Sequence, residues 1–154
     1  MINEHGALPP TTAFGVIKKF VQRLINPPRG PVLLVDDEEA VLRFVERVLR
    51  DAGYRTAVAS NGREAIAIAK QVGPLSALVT DVMMPGMTGA ELARVLRQDD
   101  PELKVLYLTG HSDRLFTEKS KLWVDEAYLD KPCSVKGLRE AVSLLLCGSF
   151  EEAV

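Results

Sequence analysis

Four apolar residues in a row, Val32 to Val35, are followed at once by four carboxylates, Asp36, Asp37, Glu38 and Glu39. Short apolar runs alternate with longer amphipathic stretches along the rest of the chain, and this predicts parallel strands joined by crossover helices rather than hairpins. Five strand–helix pairs can be marked. The first strand, "VLLV", leads into a helix over about 39–52 that carries Val41, Leu42, Val45, Val48 and Leu49 on one face and closes at Gly53. The second, "RTAVAS", is weaker. Asn61 then caps a helix to about residue 72, which Gly73-Pro74 ends. The third strand, "SALVTD", runs into the loop "VMMPGMTG" and a helix over 90–98. The fourth, "KVLYLTG", is the most apolar and is placed centrally in the sheet, with a helix over 113–122 behind it. The fifth, "AYLD", enters Lys131-Pro132, and Ser134 caps a last helix through Leu146.

The prolines of "NPPRGP" (26–31) make a stiff break before this pattern begins. The chain therefore divides into an extension over 1–30, a domain over 31–147 and a short acidic tail over 148–154. Within the extension, "AFGVIKKFVQRLI" (13–25) predicts an amphipathic helix, with Phe14, Ile17, Phe20, Val21, Leu24 and Ile25 on one half and Lys18, Lys19, Gln22 and Arg23 on the other. So short a helix needs a surface on which to bury its apolar half. That surface is the chain's own domain, a second copy in a homodimer, or an anionic membrane, and a protein surface is the preferred reading.

A chain of 154 residues with 47% hydrophobic and 26% charged residues suits one globular domain. The net charge is −2, divided as +3 over residues 1–30 and −5 over the rest. Such a balance gives no global basic field, so direct DNA binding is not expected. Cys133 and Cys147 lack metal-ligand spacing and read as reduced thiols, no apolar run reaches the roughly 20 residues of a membrane span, and Lys18, Lys19 and Arg23 interrupt any signal-peptide core. The expected location is the cytoplasm.

Parallel strands with right-handed crossovers bring all their C-terminal ends to one sheet edge, where open α/β folds bind ligands. Those ends deliver Asp36 and Asp37, then Asp81, then Thr109, then Lys131. Clustered carboxylates raise one another's pKa unless a cation compensates, and a hard divalent ion answers that need. Lys131 suits a phosphoryl oxygen or Asp81 itself, and Thr109 can donate one hydrogen bond. Taken singly, each position has a plainer reading: Asp36 as a helix cap, Lys131 as a solvated lysine, Tyr128 as core, and Met83, Met84 and Met87 as a packing cluster.

The set Asp36-Asp37, Asp81 followed by "VMMPGMTG", "LTG" at Thr109 and "LDKP" at Lys131 resembles the receiver domain of two-component response regulators over about residues 31–147. The resemblance implies a flavodoxin-like (βα)5 fold with a doubly wound five-stranded parallel sheet in the order 2-1-3-4-5. It implies that Asp81 is the phosphoacceptor for a histidine kinase or phosphotransfer protein. Asp36, Asp37, Asp81 and the Met83 backbone carbonyl would hold Mg²⁺, with Mn²⁺ able to substitute. Thr109 and Lys131 would engage the phosphoryl group, Tyr128 would be the aromatic switch coupled to Thr109, and the Lys131-Pro132 peptide would be cis. Met83 and His111 would flank the water path and tune hydrolysis. Cys133 departs from the family, which often has an aromatic there.

These features imply a signalling module that switches protein–protein contacts, with only self-directed phosphotransfer and dephosphorylation, rather than an enzyme acting on other substrates. The candidate contact surfaces are Phe116 and Trp123 on the fourth helix and the polar side of the first helix with Arg43, Glu46, Arg47 and Arg50. A haloacid-dehalogenase-like phosphatase is the rival enzyme reading. It needs an acid two residues after a strand-one nucleophile, where Asp36 is followed by Glu38, a poor match. A pure interaction domain that never meets phosphate is the third. With no C-terminal effector, DNA binding is not expected to be the chain's own act, and the expectation is either a stand-alone receiver or the receiver portion of a hybrid histidine kinase, of which Met1 favours the first.

Overall fold

A computed structural model describes residues 30–110, 122 and 125–146. The chain alternates β1 (Val32–Val35), α1 (Glu39–Asp51), β2 (Thr56–Ala59), α2 (Gly62–Val72), β3 (Ala77–Asp81), α3 (Gly89–Leu96), β4 (Val105–Thr109), β5 (Glu126–Asp130) and α4 (Val135–Leu146). The strands form one sheet in the order β2-β1-β3-β4-β5, and every pairing is parallel. β3 holds the middle position. β4, expected at the centre for its apolar run, is an interior strand paired on both sides, and the weaker second strand lies at an edge.

Alternation along each strand sorts the core into two layers, because successive side chains point to opposite faces. Leu33, Val35, Leu78, Val105 and Tyr107 pack with Ala65, Leu92, Ala93 and Leu96 on the face covered by α2 and α3. Val32, Leu34, Ala77, Val79, Leu106 and Leu108 pack with Val45, Val48, Leu49, Leu138 and Val142 on the face covered by α1 and α4. Both faces of β1, β3 and β4 are buried, as their near-continuous apolar runs require.

Local signals fix the helix ends. Asn61 accepts from the Glu64 amide at 2.8 Å, and Ser134 accepts from the Gly137 amide at 2.9 Å. Gly53 takes φ +91° after α1, a left-handed conformation that suits glycine, and the Tyr54 amide donates back to the Leu49 carbonyl. α3 starts one residue earlier than the apolar pattern suggested. Thr88 and Glu91 form a reciprocal capping box, which sets the start at Gly89. The expected helix over 113–122 with Phe116 and Trp123, the amphipathic stretch over 13–25, His111 and Cys147 lie outside the described residues.

At the opposite edge of the sheet from the acids, the buried Arg97 donates to Glu126 Oε1 at 2.6 Å and twice to the Leu103 carbonyl, while the Tyr107 hydroxyl donates to the same Glu126 oxygen. This network ties α3 to β4 and β5. A buried charge stripped of its partner costs far more than the pair contributes. Arg97→Met should therefore lower the unfolding free energy by about 3 kcal/mol or more. Urea denaturation measures this, and a loss below about 1 kcal/mol, the size of an exposed pair, would contradict it.

Candidate phosphoacceptor site

Asp36 follows β1 directly and is buried, at 3% exposure. Its two oxygens have separate tasks: Oδ1 accepts from the Glu38 amide at 2.9 Å, while Oδ2 accepts from Lys131 Nζ at 2.7 Å. The first bond fixes the entry into α1, whose N-cap residue Glu38 makes no side-chain cap of its own. The second spans 95 residues of sequence and closes the site. Asp37, next in line, is exposed.

Asp81 ends β3 and is also buried. Its Oδ2 lies 3.5 Å from Lys131 Nζ, so Lys131 stands between two carboxylates and is closer to Asp36 than to Asp81. One carboxylate oxygen from each of Asp36, Asp37 and Asp81 can be chosen so that all lie within 4.8 Å of one another. Thr109 is buried at the end of β4, and its carbonyl accepts from the Lys131 amide at 2.8 Å. The Lys131–Pro132 peptide is cis. Sheet order thus brings Asp36, Asp37, Asp81, Thr109 and Lys131 to one edge.

Close packing holds the loop between β3 and α3 against this edge. The Gly89 amide donates to the Val82 carbonyl at 2.9 Å, and a Cβ at Gly89 would fall 2.2 Å from the Asp81 carbonyl oxygen. Only glycine allows α3 to begin so near the backbone of Asp81. Gly86 turns the same loop at φ +84°. The three methionines do not form one cluster. Met84 is buried in the core, Met87 lies over Gly62, and Met83 is 40% exposed.

Tyr128 is 41% exposed rather than a core residue. It pairs in register with Tyr107, and Thr109 pairs with Asp130. Parallel register and alternation therefore put Tyr107, Thr109 and Tyr128 on one face of the sheet. Cys133 packs against the α1/α4 layer, and burial pushes its thiol pKa up. His111 lies outside the described residues. Apolar patterning missed two features: the division of Asp36 between Glu38 and Lys131, and the closeness of Gly89 to Asp81. The "TGAE" capping signature at 88–91 was the signal available for the second.

Burial raises the Asp81 pKa most, with the neighbouring Asp36 adding to the rise, and Lys131 and the Val82 amide only partly offset it. For Lys131 burial opposes the charge, but its hydrogen bond to Asp36 and the fields of Asp81, Asp36 and Glu38 prevail and leave its pKa raised. Three carboxylates facing one ammonium leave uncompensated negative charge. A divalent cation fits that donor set.

A family model, the response regulator receiver domain, matches residues 32–143. The response regulator receiver protein CpdR of Brucella abortus is 34% identical over 115 residues, covering 75% of this chain and 95% of that protein. The sensor kinase CckA of the same organism is 35% identical over 116 residues, again 75% of this chain but only 12% of the kinase. Among solved structures, a response regulator receiver protein from Sinorhizobium medicae aligns with a TM-score of 0.68 at 33% identity, covering 76% of this chain and 94% of the other. The chain belongs to the response regulator receiver domain family, the phosphoacceptor modules of two-component signalling.

The raised Asp81 pKa has a consequence for stability. The folded protein holds this proton more tightly than the unfolded chain does. The resulting stabilisation is complete below the ordinary value of 3.8 and is lost as pH rises through the folded pKa. At neutral pH and without divalent cations, Asp81→Asn should therefore raise Tm by a few degrees, roughly what a small ΔΔG gives in a domain of this size. The gain should shrink as pH falls toward 4. Melting curves in a chelator at several pH values test this, and a lower Tm for the variant at pH 7.5 would contradict it.

Proposed function

We propose that Asp81 accepts a phosphoryl group from the phosphohistidine of a histidine kinase or phosphotransfer protein, in a reaction that uses Mg²⁺ held by Asp36, Asp37, Asp81 and the Met83 carbonyl. The observation that carries this reading is the convergence of the three carboxylates within 4.8 Å beside a lysine 3.5 Å from Asp81. In the transfer an Asp81 oxygen forms the new P–O bond as the donor's P–N bond breaks, the nitrogen keeps that electron pair, and the histidine, protonated on its other ring nitrogen, leaves as the neutral imidazole. The metal, when bound, would neutralise charge on the carboxylates and the phosphoryl oxygens and align the two for displacement. Lys131 exchanges part of its contact with Asp36 for a phosphoryl oxygen, and the Thr109 hydroxyl donates to another. Mn²⁺ should replace Mg²⁺, since the donors are hard oxygens.

Phosphorylation adds charge where Lys131 is already shared between Asp36 and Asp81, so the equilibrium between two arrangements of this edge shifts. Tyr128, on the sheet face shared with Thr109, reports that shift at the surface. The output is a change in protein contacts, in the cytoplasm, with no reaction on another substrate. Similarity to CpdR supports a self-contained regulator, and similarity to CckA supports a receiver within a larger kinase; the chemistry at Asp81 is the same in either setting.

Incubation with a small acyl phosphate and Mg²⁺ should add one phosphoryl group by intact-mass spectrometry, and Asp81→Asn should remove it. The same adduct on the Asn variant would sink the assignment. Lys131→Ala should slow the reaction by about 10²-fold or more, as loss of a charged transition-state donor does, yet weaken Mg²⁺ binding less than Asp37→Asn. Met83→Asn should speed loss of the phosphoryl group, because an amide can orient a water and a thioether cannot. An unchanged decay rate would remove Met83 from that role.

A further inference from the structure

An apolar groove of about 620 Å³ opens between the C-terminal ends of α2 and α3, at the edge of the sheet opposite the acids. Ile66, Leu75, Val95 and Leu103 line it, and Asp99 and Asp100 stand on its α3 side. Lys70 stands on the α2 side, so the acidic charge is one-sided. The groove belongs to the α2/α3 face and takes no part in the site at Asp81.

The chain enters the domain beside this groove. A Cβ at Gly30 would fall 1.7 Å from the Pro74 carbonyl oxygen, and the Ser76 hydroxyl donates to the Gly30 carbonyl while accepting from the Gly30 amide. Pro74 and Leu75 are themselves groove residues. Everything N-terminal to Gly30 is thus tethered at the groove's rim. From Gly30 back to Ile25 is five residues, a reach of about 15 Å in the extended conformation that Pro27 and Pro28 favour.

We propose that residues 13–25 of this chain form an amphipathic helix that docks its apolar half in this groove. At about 100° per residue, Lys18 falls beside Ile25 at one border of the apolar arc, and Arg23 falls beside Val16, which extends the arc past Phe20, at the other, so both borders carry a basic side chain. Such side chains lie along the rim and keep their charge in water while the stem packs, and Asp99, Asp100 and the nearby exposed Glu102 provide the opposite sign. The +3 charge of residues 1–30 meets the acidic side of a −5 domain. Tethering makes the contact intramolecular, so a short linker favours it over a second copy at ordinary concentrations.

The test uses the full chain. An equal mixture of ¹⁴N- and ¹⁵N-labelled protein is equilibrated, its mass measured by light scattering, and Lys–carboxylate contacts coupled with a carbodiimide. Coupling of Lys18 or Lys19 to Asp99, Asp100 or Glu102 within chains of a single isotope, at monomer mass, is the expected result. Phe20 precedes the receiver region at 32–143 in the sequence, so Phe20→Asp should leave phosphorylation by an acyl phosphate intact. It should cut that coupling, and the hydrogen-exchange protection of residues 66–75 and 95–103, by about tenfold or more, since it removes a large buried apolar side chain. Mixed-isotope coupling or a dimer mass would overturn the proposal in favour of a second copy. Phe20-dependent sedimentation with phosphatidylcholine–phosphatidylglycerol vesicles, together with exchange in the groove that Phe20→Asp leaves unchanged, would overturn it in favour of a membrane.

Discussion

Repulsion among carboxylates gathered at one sheet edge is the constraint around which the rest of this domain is arranged. A parallel sheet covered on both faces aligns the C-terminal ends of its strands, and here those ends supply Asp36, Asp37 and Asp81. Two of the three acids are buried, which makes their charge costly and their pairing consequential. Lys131 answers both at once, 2.7 Å from Asp36 and 3.5 Å from Asp81. Its backbone amide donates in turn to the Thr109 carbonyl, so the end of β4, the end of β5 and the start of α1 are joined through a single residue, Lys131.

Such a junction is not neutral. One cation among three acids leaves room for a divalent ion and for a phosphoryl group, and each would change which oxygen Lys131 prefers. The Asp36 carboxylate that pairs with Lys131 also accepts from the Glu38 amide, so one side chain serves both the lysine and the α1 entry. Asp81 cannot move without pressing on α3, since Gly89 leaves no space above its carbonyl. The residues around Asp81 thus touch two helices on opposite faces of the sheet.

The far edge of the sheet is built differently. There Arg97, Glu126 and Tyr107 form a buried, mutually satisfied network, and among the described residues no buried side-chain polar atom lacks a partner. A satisfied network has little reason to rearrange. The contrast places uncompensated charge at the acidic edge and a satisfied network at the edge where the chain enters beside Pro74.

Much of this was legible in the amino-acid order. Short apolar runs of four or five residues, alternating with amphipathic helical stretches, suit strands of a covered parallel sheet, as "VLLV", "ALVTD" and "VLYLT" are, and the polar residues at or just beyond the end of each run fall at the site. Asn61, Gly53 and Ser134 mark helix ends by hydrogen bonds to residues a few positions away, which is why their effect can be read locally. Partner choice over long separations is another matter. That Lys131 sits nearer Asp36 than Asp81, that Arg97 reaches Glu126, that Tyr128 lies at the surface and that Gly30 passes against Pro74 depend on side-chain reach and backbone packing across 29 to 95 residues. Sequence by itself determined the elements, their order and the chemical types at the strand ends, because burial and capping act over short periods. Distances, pairings and exposure were decided only by the tertiary structure, because they depend on how twisted strands and packed helices meet in space.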